Sequence, residues 1–100
     1  MIHHIVVWKL KDSAEGASRE ENIVRMKAAL EGLQDKVPSL LRIEAGGNVT
    51  ADAAAWDFAL YSEFATRDDL ASYQKHPAHV VVSQFIGKLV ERRAVVDYEV

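Results

Sequence analysis

One hundred residues, 49 % apolar and 27 % charged, make a single globular domain with one modest core. The net charge of −3 comes without a basic stripe, which removes the footprint of a nucleic-acid binder, and the lack of cysteine excludes disulfides and thiolate metal sites. No apolar run is long enough for a membrane span, and the opening Met-Ile-His-His-Ile-Val-Val-Trp lacks the basic region and long apolar stretch of a signal peptide, so a cytoplasmic protein is expected.

Residues 3–10, HHIVVWKL, are rich in β-branched and aromatic side chains and predict a strand. Alternation puts His4, Val6, Trp8 and Leu10 on one face and His3, Ile5, Val7 and Lys9 on the other. Both faces are largely apolar, so this strand is expected at the centre of a sheet. Residues 11–17 read as a polar loop. Ser18 and Glu21 then form a Ser-x-x-Glu capping box, and Ile23, Met26, Leu30, Leu33 and Val37 follow at helical steps. Pro38 ends that helix. Residues 40–48 predict a half-exposed strand near an edge, because Arg42 and Glu44 lie between apolar positions. A loop of small residues fills 49–55.

In 56–64 the alternation is clearest, with Trp56, Phe58, Leu60, Ser62 and Phe64 on one face. Thr66 with Asp69 starts another helix, which Leu70 and Tyr73 carry to about His76. Pro77 disfavours helical geometry at His76 yet suits the first position of a new helix, so a break is expected there. Val82, Phe85, Ile86 and Leu89 give the second piece its apolar stripe. Residues 92–100 alternate as a final strand.

The order β-α-β-β-α-β is the split βαβ pattern of an α+β, ferredoxin-like domain with an antiparallel sheet in the order 4-1-3-2. Helices cover one face of such a sheet. Whichever set of first-strand residues faces the other way, a large apolar area stays uncovered. A second copy related by a two-fold axis, packed sheet face to sheet face, is the simplest way to bury it.

Three segments resemble a known family: His4, Val7 and Lys9 to Lys11 near the start, Tyr73-Gln-Lys-His76-Pro77-Ala78-His79-Val80, and Val96-Asp97-Tyr98. Together they are similar to the stress-responsive A/B barrel (Dabb) family over almost the whole chain, as a single domain spanning 1–100. The HPAH segment is the most specific. The resemblance implies a homodimeric α/β barrel built from two ferredoxin-like sheets. Many members have no established activity, and some are stress-associated oligomers. A plant branch includes a polyketide cyclase that carries out an intramolecular aldol condensation of a linear poly-β-keto substrate without cofactor. In that branch the second histidine of the HPAH segment acts with a nearby tyrosine, and a first-strand histidine lines the pocket. By position these are His79, Tyr73 and His4. A further pocket tyrosine of the cyclase falls on Met26 here, which implies a different substrate.

The residue chemistry is compatible with that role. Imidazole is the side chain best suited to proton transfer near neutrality, which makes His79 the candidate base. Tyr73 is the candidate donor to a developing enolate oxygen. Trp8, Met26, Phe58 and Phe85 are candidate lining residues of a small apolar pocket for a hydrophobic, carbonyl-bearing molecule. The same residues also fit a non-catalytic, stress-related structural oligomer, in which His79 binds a backbone carbonyl and Tyr73 fills the core. A cofactor-independent monooxygenase is a third reading, since other dimeric α/β barrels do such chemistry. No metal is expected: His76 and His79 offer two ligands, His3 and His4 point to opposite faces, and no H-E-x-x-H motif is present. No cofactor, nucleic acid or membrane is implied.

Overall fold

The apolar alternation of residues 2–10 is realised as a strand, β1 (Ile2–Leu10), whose side chains are buried and half-buried by turns. Ile2, His4, Val6, Trp8 and Leu10 face the core, so the even-numbered set lies under the helices. The computed structural model describes all residues, Met1–Val100. After β1 comes a small hairpin, β2 (Ser13–Ala14) and β3 (Ala17–Ser18), within the stretch read above as a loop. Glu15 and Gly16 both have positive φ, 50° and 75°, as a two-residue primed turn requires. Asn22 is fully buried and donates from its side-chain amide to the Ala14 carbonyl at 3.1 Å, tying the hairpin to the next helix.

That helix, α1 (Arg19–Glu31), starts at the predicted capping box. The Glu21 N–H donates to the Ser18 hydroxyl at 3.2 Å, and the Ser18 N–H donates to the Glu21 carboxylate at 3.1 Å. These two bonds hold the Glu21 carboxyl below its ordinary pKa. The helix stops six residues before Val37 and gives way to a 3₁₀ turn over Gly32–Asp35. Gln34 accounts for the tighter path. Its side chain donates to the Leu40 carbonyl and accepts the Ile43 N–H, while Leu33 and Val37 stay buried. The edge strand β4 (Arg42–Gly47) then passes so close to α1 that a Cβ on Gly47 would meet Ile23 Cγ2 at 2.8 Å.

β5 (Phe58–Phe64) begins after Trp56. Trp56 therefore leaves the predicted strand stripe. Lys9 and Arg92 lie over its ring instead, at 5.9 and 5.1 Å from the centroid. α2 (Arg67–Lys75) is capped by Thr66, and α3 (Pro77–Gly87) follows the expected break. His76 is extended there, with φ −62° and ψ 136°, and its Nδ1 accepts the Ala78 N–H at 3.0 Å. His76 is thus the N-cap of α3, with Pro77 at the first helical position. Replacing His76 with Ala is expected to cost about 1 kcal/mol of stability, measured by urea unfolding, because that N–H loses its acceptor.

β6 (Val90–Glu99) completes an antiparallel sheet in the order β4-β5-β1-β6. Read from β6, the four long strands occupy chain positions 4, 1, 3 and 2. The helices pack on one face, over a core that includes Met26, Leu30, Phe58, Leu60, Phe64, Tyr73 and Ile86. Register places Ile5 between Tyr61 and Val96, and Val7 between Ala59 and Ala94, on the helix-free face. Val96 is 60 % exposed and Tyr98 42 % exposed. No helix covers this apolar band in the single chain, where Ile5 and Val7 are half-buried between their neighbours. Polar groups border it: His3 Nδ1 is 3.1 Å from the Tyr98 hydroxyl, and the Tyr61 hydroxyl donates to Glu63 at 2.6 Å, raising the Tyr61 pKa to about 12.

Candidate functional site

Between the sheet and the inner surfaces of α1 and α3 lies a cavity of about 270 Å³. Half of its lining residues are aliphatic, Val6, Leu30, Leu60 and Ile86 among them. The polar groups that reach it are His4 and Trp8 on β1, His79 and Ser83 on α3, and Arg93 on β6. That mixture, an apolar cleft with a few convergent polar groups, is the usual make-up of a small-molecule site.

The helix break positions His79. In an unbroken helix the Gln74 carbonyl would accept the N–H four residues on, that of Ala78. Here Ala78 donates to His76, and Gln74 accepts from His79 Nδ1 instead, at 3.1 Å. A carbonyl only accepts, so Nδ1 carries the proton and Nε2 of the neutral ring is the free base. Burial lowers the His79 pKa below its ordinary 6.5, the Gln74 hydrogen bond works against this, and the charges of His4 and Arg93 lower it further. His79 is thus a neutral base at pH 7.

Tyr73 stands one layer behind the cavity wall, fully buried. Its ring centroid is 4.4 Å from that of His79 and 6.3 Å from that of His4. Its hydroxyl is buried with no hydrogen-bond partner. Burial pushes its pKa well above the ordinary value, against a smaller opposing effect of the Arg93 charge, so the group is a neutral donor. An unmade hydrogen bond at a buried hydroxyl costs roughly 1–3 kcal/mol, which marks this group as a place where stability is given up. Tyr73→Phe is therefore expected to raise the unfolding free energy by about 1 kcal/mol, measured in urea, because it deletes that orphan and keeps the ring.

His4 is 2 % exposed and directs Nδ1 at the Asp97 carboxylate, its partner across β1 and β6. A carboxylate accepts only, so Nδ1 is the protonated nitrogen. Asp97 holds the ring in one orientation, as second partners of functional histidines do. The Val96-Asp97-Tyr98 segment thus acquires a physical reason in its middle residue.

The structure brings His4, Tyr73 and His79 together and places Trp8 on the cavity wall. It does not place Met26, Phe58 or Phe85 there. Met26 and Phe58 are buried at 0 % and 1 % exposure within the core, and Phe85 packs against that core from outside the cavity. The reason is helical phase: His79, Val82, Ser83 and Ile86 share the inner face of α3, and Phe85 lies off it. Arg93 and Ser83 were not anticipated. The signal for Arg93 was a cation on the inward face of β6, visible once register pairs it with Trp8. No cluster of three or more histidine or acidic side chains able to hold a metal ion is present, and no helix is long and apolar enough to cross a membrane.

Known proteins share this architecture. A crystal structure of a dimeric protein of unknown function and ferredoxin-like fold from Bacteroides fragilis is 36 % identical, with a TM-score of 0.87 over 99 % of this chain and 95 % of that one. The hydroxynitrile lyase from Passiflora edulis shares the fold at 19 % identity, with a TM-score of 0.83 over 99 % of this chain and 92 % of its own. Among curated sequences, a stress-response A/B barrel domain-containing protein of Arabidopsis thaliana is 30 % identical over 98 % of this chain, which spans only 36 % of that protein's length. The sequence pattern of the stress responsive A/B barrel domain itself matches residues 2–100, and with the split βαβ sheet in place the chain belongs to that family.

Proposed function

We propose that the protein is a homodimer whose subunits each bind a small hydrophobic carbonyl compound in the cavity and catalyse a cofactor-free proton transfer next to that carbonyl. The observation that carries this reading is His79 itself: Nδ1–H is fixed on the Gln74 carbonyl, leaving a neutral Nε2 on a ring that lines an apolar cavity. His79 removes a proton from the carbon α to the carbonyl. The C–H electron pair becomes the C=C bond of an enolate, and the carbonyl π pair moves to oxygen. The Ser83 hydroxyl, which lines the same cavity, is the donor available to that oxygen, while Tyr73, one layer behind the wall, packs its ring against His79. His79 returns the proton to another position to complete an isomerisation; alternatively the enolate carbon attacks a second carbonyl, whose π pair moves to its oxygen and takes the proton back from His79, closing an aldol ring without electrons entering or leaving.

Sheet-to-sheet dimerisation is supported by the helix-free apolar band of Ile5, Val7 and Val96, and by the dimeric relative from Bacteroides fragilis. The test of the chemistry is exchange of α-hydrogens of propiophenone for deuterium in D₂O, followed by proton NMR. The protein is expected to accelerate exchange in proportion to its concentration. Exchange at the buffer rate, with the ketone bound, would leave a binding or structural protein.

A further inference from the structure

One cation on the cavity lining, the solvent-exposed Arg93, has no partner within the chain. Arg93 lies on the helix-covered face of β6, opposite Trp8, and lines the cavity. Every other arginine has a partner. Arg19 pairs with Asp12, Arg42 with Glu44 and Glu63, and Arg67 with Glu99. Arg25 donates to the Glu15 carbonyl, and Arg92 lies over Trp56. Arg93 has no ion pair, hydrogen bond or aromatic ring of its own.

No acidic side chain lines the cavity to neutralise it. Asp97, on the same face of β6, is taken up by His4. The opposite wall offers the Ser83 hydroxyl as another hydrogen-bond donor. An aliphatic chamber with a planar, five-donor cation on its wall matches a ligand with an apolar body and a carboxylate end.

We propose that the cavity selects an anionic substrate, a hydrophobic oxo acid whose carboxylate is held by Arg93 while its ketone lies at His79. This deepens the function proposed above and rests on the cavity being a ligand site. The carboxylate bond fixes which end of the molecule enters, and so which α-carbon meets Nε2. Neutral ketones of the same shape bind in the same space without that anchor.

Calorimetric titration with 3-benzoylpropionate and with its methyl ester tests this. The acid is expected to bind about ten- to a hundredfold tighter than the ester, the range of a charge-assisted hydrogen-bonded pair. Arg93→Leu should remove that preference while the ester keeps its affinity, and Arg93→Lys should restore part of it. Circular dichroism of the three proteins confirms that each is folded. Equal binding of acid and ester to the native protein, or a preference that survives Arg93→Leu, overturns the anionic assignment and leaves the cavity a site for neutral ketones. Binding of neither compound removes both readings.

Discussion

His79→Gln is expected to lower ketone α-exchange by about 10²- to 10⁴-fold, the usual contribution of a positioned general base. Glutamine keeps a donor for the Gln74 carbonyl and comparable bulk, so unfolding free energy should move by about 1 kcal/mol at most. A histidine retained only to satisfy that carbonyl would give the opposite pattern, with exchange unchanged. The pH profile of the native protein separates the two further. Burial holds the His79 pKa below 6.5, so the active neutral form persists to lower pH than for a free imidazole. Exchange should be flat around pH 7 and fall on the acid side with a midpoint below 6.5. The same shift has a stability consequence of fixed sign. Between the lowered native pKa and 6.5 the unfolded chain binds a proton that the folded chain resists, so this group's contribution to stability is lost as pH falls through that window. An acid limb at or above 6.5, or one that persists in His79→Gln, would contradict the role of His79.

The elements were legible because local patterns agreed with the topology. The capping box at Ser18, the cap at Thr66 and the stop at Pro77 are each set by side chains within three residues of the backbone groups they serve. The early end of α1 was not legible, because its cause is the contact of Gln34 with Leu40 and Ile43, whose position depends on where β4 lies. Trp56 misled for a related reason. It continues the alternation of β5 in sequence, but the strand starts only at Phe58, and Trp56 meets Lys9 and Arg92 from other strands.

The site divides in the same way. The closeness of His79 and Tyr73 follows from one short segment, because a proline break compresses their separation. Asp97 and Arg93 reach this region across the sheet, and their placement requires the pairing of β6 with His4 and Trp8. Large apolar residues are poor guides to a cavity, since the best-packed ones fill the core instead. Met26 and Phe58 show this: they are buried too completely to border open space.

Val96→Asp is expected to convert the protein to a monomer. Val96 pairs with Ile5 in register and is 60 % exposed in the single chain, on the helix-free face of the edge strand β6. In a two-fold dimer built on that face the substitution enters twice, and each carboxylate would be buried among Ile5, Val7 and Tyr61 without a cation of its own. Burying an uncompensated charge costs about 3–5 kcal/mol, so the dissociation constant should rise by ~10³-fold or more. Sedimentation velocity at micromolar concentration reads this directly. The native protein should sediment at twice the chain mass and the variant at the chain mass of 11.1 kDa. Since β6 carries Arg93 and Asp97 on its other face, loss of the partner should also loosen the cavity and weaken 3-benzoylpropionate binding in the folded monomer. A native chain that sediments as a monomer, with Val96 open to water, would remove the dimer and this link between sheet face and cavity together.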